Sequence, residues 1–115
     1  MSDIEIWHNP RCSKSRQTLA ILEDKGIEPT IRLYLKDIPT ADELRDVLKA
    51  LGLKASDILR TGEAECLEAG VDKISDEDKL IPAMVQFPKL IERPIVRAGD
   101  KAVLGRPPEN VLDLI

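Results

Sequence analysis

The chain changes its hydrophobic period twice within its first 35 residues, and this limits the fold more than any other feature. Residues 3–7, Asp-Ile-Glu-Ile-Trp, alternate polar and apolar, as a strand with one buried face does. His8-Asn9-Pro10-Arg11 breaks the alternation, because Asn-Pro favours a turn and Pro10 has no N–H. From Cys12 to about Lys25 the spacing becomes helical: Leu19 and Leu22 share a face, and Gly26 supplies the stop. Residues 30–35, Thr-Ile-Arg-Leu-Tyr-Leu, read as a second strand with Ile31, Leu33 and Leu35 on one side. Strand, helix and strand in so short a span predict a parallel βαβ unit, right-handed as nearly all such crossovers are.

Helical signals fill the middle of the chain. Thr40-Ala-Asp-Glu43 is a capping box, and Leu44, Val47, Leu48 and Leu51 follow at i, i+3, i+4 and i+7, closed by Gly52. Residues 55–70 read as one or two short helices. Ser75 to about Gln86 reads as another, burying Leu80, Ile81, Met84 and Val85; Pro82 either kinks it or delays its start. Pro94–Ala98 and Lys101–Leu104 are short strands joined by Gly99-Asp100, a hairpin signal. Pro107-Pro108 opens a last helix through Ile115. The order β-α-β, helical insert, β-β-α predicts an α/β fold in one domain spanning 1–115: a four-stranded mixed sheet flanked by helices, the thioredoxin-like arrangement.

Composition narrows the function. The 115 residues are 43% hydrophobic, enough for a folded core. Lys and Arg number 17 against 21 Asp and Glu, a net charge of −4, which argues against a nucleic-acid binder and against a polybasic membrane anchor. Apolar runs stay far below the roughly 20 residues of a membrane helix. The opening Met1-Ser2-Asp3-Ile4-Glu5 carries no secretory h-region, so cytoplasmic residence and a monomer are expected. Two cysteines 54 residues apart and one histidine suit neither a disulfide scaffold nor a metal centre.

The chemistry must then come from cysteine, arginine and backbone. Cys12 falls between a strand and a helix, where unpaired N–H groups and the helix dipole stabilise a thiolate. Such placements bring a thiol from about 8.5 into a range of roughly 3.5–7.5. Arg11 and Arg16 add positive charge in sequence. Cys12-Ser13-Lys14-Ser15 has redox C-x-x-C spacing with serine in the second place, so no disulfide closes across that turn. Ser13 and Ser15 either cap the helix or contact a bound anion. His8 is either an idle exposed turn residue or a group that tunes the thiol. Cys66 has the acidic neighbours Glu63, Glu65 and Glu68, which disfavour a thiolate and give it a structural role. Arg60, Arg93 and Arg106 each end a short apolar stretch; guanidinium forks bind tetrahedral oxyanions, although spacing alone does not bring the three together.

His8-Asn-Pro-Arg-Cys12-Ser-Lys-Ser-Arg16 resembles the signature of the glutaredoxin-linked arsenate reductases. The likeness continues through Glu28-Pro29, Tyr34-Leu35-Lys36, Leu59-Arg60, Phe87-Pro88, Ile91-Glu-Arg-Pro-Ile-Val96 and Gly105-Arg-Pro-Pro-Glu-Asn-Val111. It implies a thioredoxin-like fold with a helical insertion. It makes Cys12 the nucleophile, His8 a residue associated with activating it, and Arg60, Arg93 and Arg106 the holders of the oxyanion. Pro94 falls where such folds place a cis-proline, and Cys66 matches no motif position. The implied reaction is attack of Cys12 on arsenate, then reduction by glutathione as co-substrate, release of arsenite after hydrolysis, and recovery of the cysteine by glutaredoxin. No metal and no bound cofactor is implied. The alternatives are a glutathione-dependent thiol reductase and, ranked lower because Ser15 breaks the C-x-x-C switch, a regulator that binds RNA polymerase.

Overall fold

The structure, a computed structural model, describes residues 4–115 and divides them into two compact units. One comprises the described residues up to Asp37 together with Arg93–Ile115, the other Ile38–Glu92. The helical insert read between the two β halves is the second unit.

The first unit holds a four-stranded mixed sheet of order β2-β1-β3-β4, with β1 at Ile4–Trp7, β2 at Thr30–Arg32, β3 at Ile95–Ala98 and β4 at Lys101–Leu104. Asp3, the expected first residue of β1, lies outside the described residues. β1 pairs parallel with β2 and antiparallel with β3, and β3 pairs antiparallel with β4. The βαβ unit is completed by α1, Ser13–Asp24, and residues 25–27 turn the chain back through Gly26 at a φ of 76°. Ile4, Ile6, Leu22, Val96 and Val111 form the core, with Leu19, Ile21, Ile27 and Leu114 around them.

β2 stops at Arg32 instead of reaching Leu35: it is an edge strand, and residues 34–36 turn away. Ile31 and Leu33 are exposed, and the buried side chain of the segment is Tyr34. Alternation in an edge strand does not say which face is covered. β1, by contrast, buries Trp7 as well as Ile4 and Ile6, because it lies inside the sheet. The indole donates to Glu5 Oε1 at 2.9 Å, and Arg32 lies 5.5 Å over its ring. The last helix is a 3-10 helix, Pro108–Leu114, that places Val111 in the core. The Arg93-Pro94 bond is cis, as expected, and so is Arg106-Pro107, which was not foreseen.

The second unit is helical. Its first helix, α2 (Ala41–Leu51), has the capping box as read: the Glu43 amide donates to Thr40 Oγ1 at 3.1 Å and the Thr40 amide to Glu43 Oε1 at 3.0 Å. Gly52 ends it at a φ of 69°, a left-handed conformation that disfavours side chains. A 3-10 turn at Ala55–Ile58 and α3 at Glu65–Ala69 occupy the 55–70 stretch. α4, Glu77–Gln86, starts after the Asp76 cap and runs through Pro82; Ala83 is buried in place of the half-buried Val85. A bridge between Leu59 and Ile91, unread in the sequence, ties the two ends of this unit together. Arg60 N–H donates to Leu90 O at 2.8 Å and Glu92 N–H to Ile58 O at 2.9 Å.

Candidate active site

The loop from His8 to Cys12 leaves the C-terminal end of β1 and enters α1, so its shape follows from the crossover. His8 N–H donates to Arg32 O at 2.8 Å and extends the β1–β2 ladder by one residue. Asn9 closes the turn: its carbonyl accepts Cys12 N–H at 3.0 Å and its Oδ1 accepts Arg11 N–H at 3.0 Å. Cys12 is the N-cap of α1, with extended backbone and no side-chain cap bond. The helix therefore begins with open amides beside the sulfur.

Cys12 is 7% exposed, so the residue is buried. Burial alone pushes its pKa up. That push is overcome by the Ser15 amide, the side-chain hydrogen bond and charge of Arg93, and the Lys14 amide, and the thiol ionises below its ordinary value. Arg93, and not the sequence neighbours Arg11 and Arg16, is the guanidinium that lowers its pKa most. Arg106 also reaches the sulfur: Nη2 lies 3.6 Å from Cys12 Sγ, while Nε donates to Arg93 O at 2.8 Å. The two arginines are thus linked to each other as well as to the sulfur. Arg106 comes this close because Gly105 packs on α1. A Cβ at Gly105 would strike Thr18 Oγ1 and lie 2.7 Å from Pro94 Cγ.

His8 is not an idle exposed residue; it is 6% exposed. Its Nδ1 lies 2.6 Å from Ser15 Oγ, which also accepts Asn9 N–H at 3.1 Å. Burial first, then the charge of Arg16, lower its pKa. This corrects the expectation that Ser15 caps the helix: its hydroxyl is fully buried and turned back into the loop. Ser13 is exposed and does not cap either. The His8–Ser15 pairing was missed in the sequence, because seven residues across a turn and the first turn of a helix match no periodic rule.

Arg60 belongs to the helical unit. Its Nη1 lies 2.7 Å from Glu92 Oε1 and its Nη2 3.5 Å from Glu63 Oε1. Its Nε is buried without a hydrogen-bond partner among the described residues. Cys66 Sγ donates to Arg60 O at 3.4 Å. Burial, then Glu63, Glu65 and Asp72, raise the Cys66 pKa, the opposite of Cys12. Among the described residues no three His, Cys, Asp or Glu side chains are grouped to hold a metal ion, and no helix is long and apolar enough to cross a membrane.

Comparison with known proteins shows the family. The ArsC family model matches residues 7–114. YfgD of Escherichia coli (strain K12), a protein of uncharacterized function, is 49% identical over 114 residues, covering 97% of this chain and 96% of YfgD. The arsenate reductase of Haemophilus influenzae is 45% identical over 112 residues, covering 96% of this chain and 97% of its own. The structure of an arsenate reductase from Vibrio cholerae superposes with a TM-score of 0.93 at 43% identity, covering 99% of this chain and 98% of its own.

Proposed function

The chain belongs to the ArsC family, and from that premise we propose that it reduces arsenate to arsenite through Cys12, with glutathione and a glutaredoxin as external reductants. The observation that carries this reading is the convergence of Arg93 and Arg106 on a thiol held at a helix N-terminus. A thiolate is a competent nucleophile, but arsenate is an anion, and two anions approach only where charge is compensated. Arg93, Arg106 and the open amides of α1 supply that compensation. Arg60 is the third oxyanion contact on the family resemblance.

Cys12 Sγ bonds to arsenic and an arsenate oxygen leaves, protonated, as water. The glutathione thiolate attacks Cys12 Sγ; an S–S bond forms and the S–As bond breaks with its electron pair remaining on arsenic. Arsenic is reduced by two electrons and leaves as arsenite, and the two sulfurs are oxidised by one electron each. Glutaredoxin then reduces the Cys12–glutathione disulfide. Ser15 in the second C-x-x-C place supports an external resolving thiol. Neither a metal nor a bound cofactor enters this scheme, and a cytoplasmic monomer fits a reaction fed by the glutathione pool.

The test is arsenate-dependent NADPH oxidation with glutathione, glutathione reductase and glutaredoxin. Turnover that needs all three, and is lost in Cys12→Ser, is expected. Turnover supported by thioredoxin instead would overturn the reductant assignment. A glutathione-dependent thiol reductase is the second reading. In its favour, Glu92 and Glu63 already engage Arg60, a residue the oxyanion role requires.

A further inference from the structure

We propose that Ser15 is a positioning residue: its hydroxyl, anchored by the Asn9 amide, donates to His8 Nδ1 and fixes the imidazole as the tautomer protonated at Nε2. Ser15 Oγ is fully buried and has two polar neighbours, Asn9 N at 3.1 Å and His8 Nδ1 at 2.6 Å. The Asn9 amide can only donate, so the hydroxyl accepts there. The single hydroxyl proton then has one acceptor within reach, the Nδ1 lone pair. Were Nδ1 protonated, the serine oxygen would accept twice and its own O–H would be left buried without an acceptor, a costly arrangement. An imidazolium meets the same objection. It is opposed further by burial and by the Arg16 guanidinium, whose Nη1 is held on Pro10 O at 2.9 Å.

The consequence is chemical. His8 acts in the cysteine loop with one donor, Nε2–H, and no charge, so it does not activate Cys12 as a cation. Ser15 serves the loop twice, with its amide toward the Cys12 sulfur and its hydroxyl toward His8. Substituting the side chain separates these roles, because Ser15→Ala keeps the amide.

The inference deepens the proposed reduction, yet its first test does not depend on it. His8 is the only histidine in the chain, so long-range ¹H–¹⁵N correlation spectra of uniformly ¹⁵N-labelled protein report its ring nitrogens without ambiguity. At pH 7 a protonated Nε2 and an unprotonated Nδ1 are expected, persisting below pH 6.5. An Nδ1–H tautomer or an imidazolium at pH 7 in the intact protein overturns the proposal, whether or not any variant folds. In folded Ser15→Ala the two tautomers should mix, while the pH midpoint of Cys12 alkylation stays in place. Arsenate kcat/KM should fall about 2- to 12-fold, the worth of one neutral hydrogen bond, and His8→Ala with Ser15→Ala should be no worse than His8→Ala alone. Additive losses would mean that Ser15 does not act through His8. Absent arsenate turnover with the Nε2–H tautomer intact would reject the reductase reading and leave the tautomer assignment standing.

Discussion

At the residue scale the two cysteines have opposite environments, and that difference can be measured. Cys12 has the Ser15 and Lys14 amides and the Arg93 guanidinium; Cys66 has burial and three carboxylates. In a Cys66→Ser background, iodoacetamide alkylation of Cys12 should titrate with a midpoint below about 8.5, the value of a free thiol. A midpoint at or above that value would remove the activated nucleophile. The same shift bears on stability. Between the lowered folded value and about 8.5 the unfolded chain binds more protons at Cys12 than the folded one, so stability rises with pH across that window. The contribution is full above the unfolded value and is lost as pH falls through the folded one. Denaturant midpoints of this background and its Cys12→Ser derivative should therefore diverge from pH 6 to pH 9, in favour of the chain with the thiol. Parallel midpoints would show that the fold gains nothing from the thiolate. The position of Cys12 at a strand-to-helix junction was legible because a change of period marks the junction. The His8–Ser15 bond was not, since a turn brings those side chains together.

At the scale of elements, Gly105 governs how β4 delivers Arg106. Its amide donates to Pro94 O at 2.9 Å, and Thr18 Oγ1 on α1 donates to Lys14 O at 2.8 Å and lies 3.4 Å from Gly105 O. Gly105→Ala would push a methyl against Thr18 and Pro94, with Thr18 Cγ2 at 3.1 Å. Overpacking of this kind costs about 1–3 kcal/mol. Because the strand end must move to relieve it, Arg106 should retreat from Cys12 Sγ and the thiol midpoint should rise. Adding Thr18→Ala removes two of the three crowded contacts, so the double variant should be more stable than the sum of the single losses. Strict additivity in urea melts would place the strain elsewhere. Sequence reading located α1, α2, β3 and β4 within a residue or so, because caps, glycines and periodicity are local. It overran β2, where Ile31, Leu33 and Leu35 alternate as a strand should although only a sheet neighbour decides where pairing ends. It also missed the Leu59–Ile91 bridge, formed by residues 32 apart with no local pattern.

At the scale of the whole molecule, the three arginines of the resemblance divide between the two compact units, and their substitution separates charge around the thiol from binding of the oxyanion. Arg93 and Arg106 belong to the unit that carries Cys12, and both meet the sulfur. Their replacement by Ala should raise the alkylation midpoint and lower arsenate kcat/KM together, by roughly 10- to 150-fold for a charge-assisted contact of about 1.5–3 kcal/mol. Arg60 has no part in the Cys12 shift, so Arg60→Ala should leave the midpoint unmoved. If Arg60 contacts the oxyanion, arsenate turnover still falls, with the loss in KM where the contact belongs to bound arsenate and in kcat where it belongs to the transition state. Removing Arg60 also leaves Glu92 and Glu63 without their shared cation, so each variant's folding must be checked by its melt. Lysine should not restore full activity at Arg93 or Arg106, because an ammonium cannot make the planar two-point contact. Reduction of a neutral disulfide such as hydroxyethyl disulfide supplies the contrast, since it presents no oxyanion. Folded variants that lose arsenate turnover but keep disulfide reduction would place the arginines on the substrate anion. Equal losses on both substrates would reject the oxyanion role and make the thiol-reductase reading the better account of the same loop.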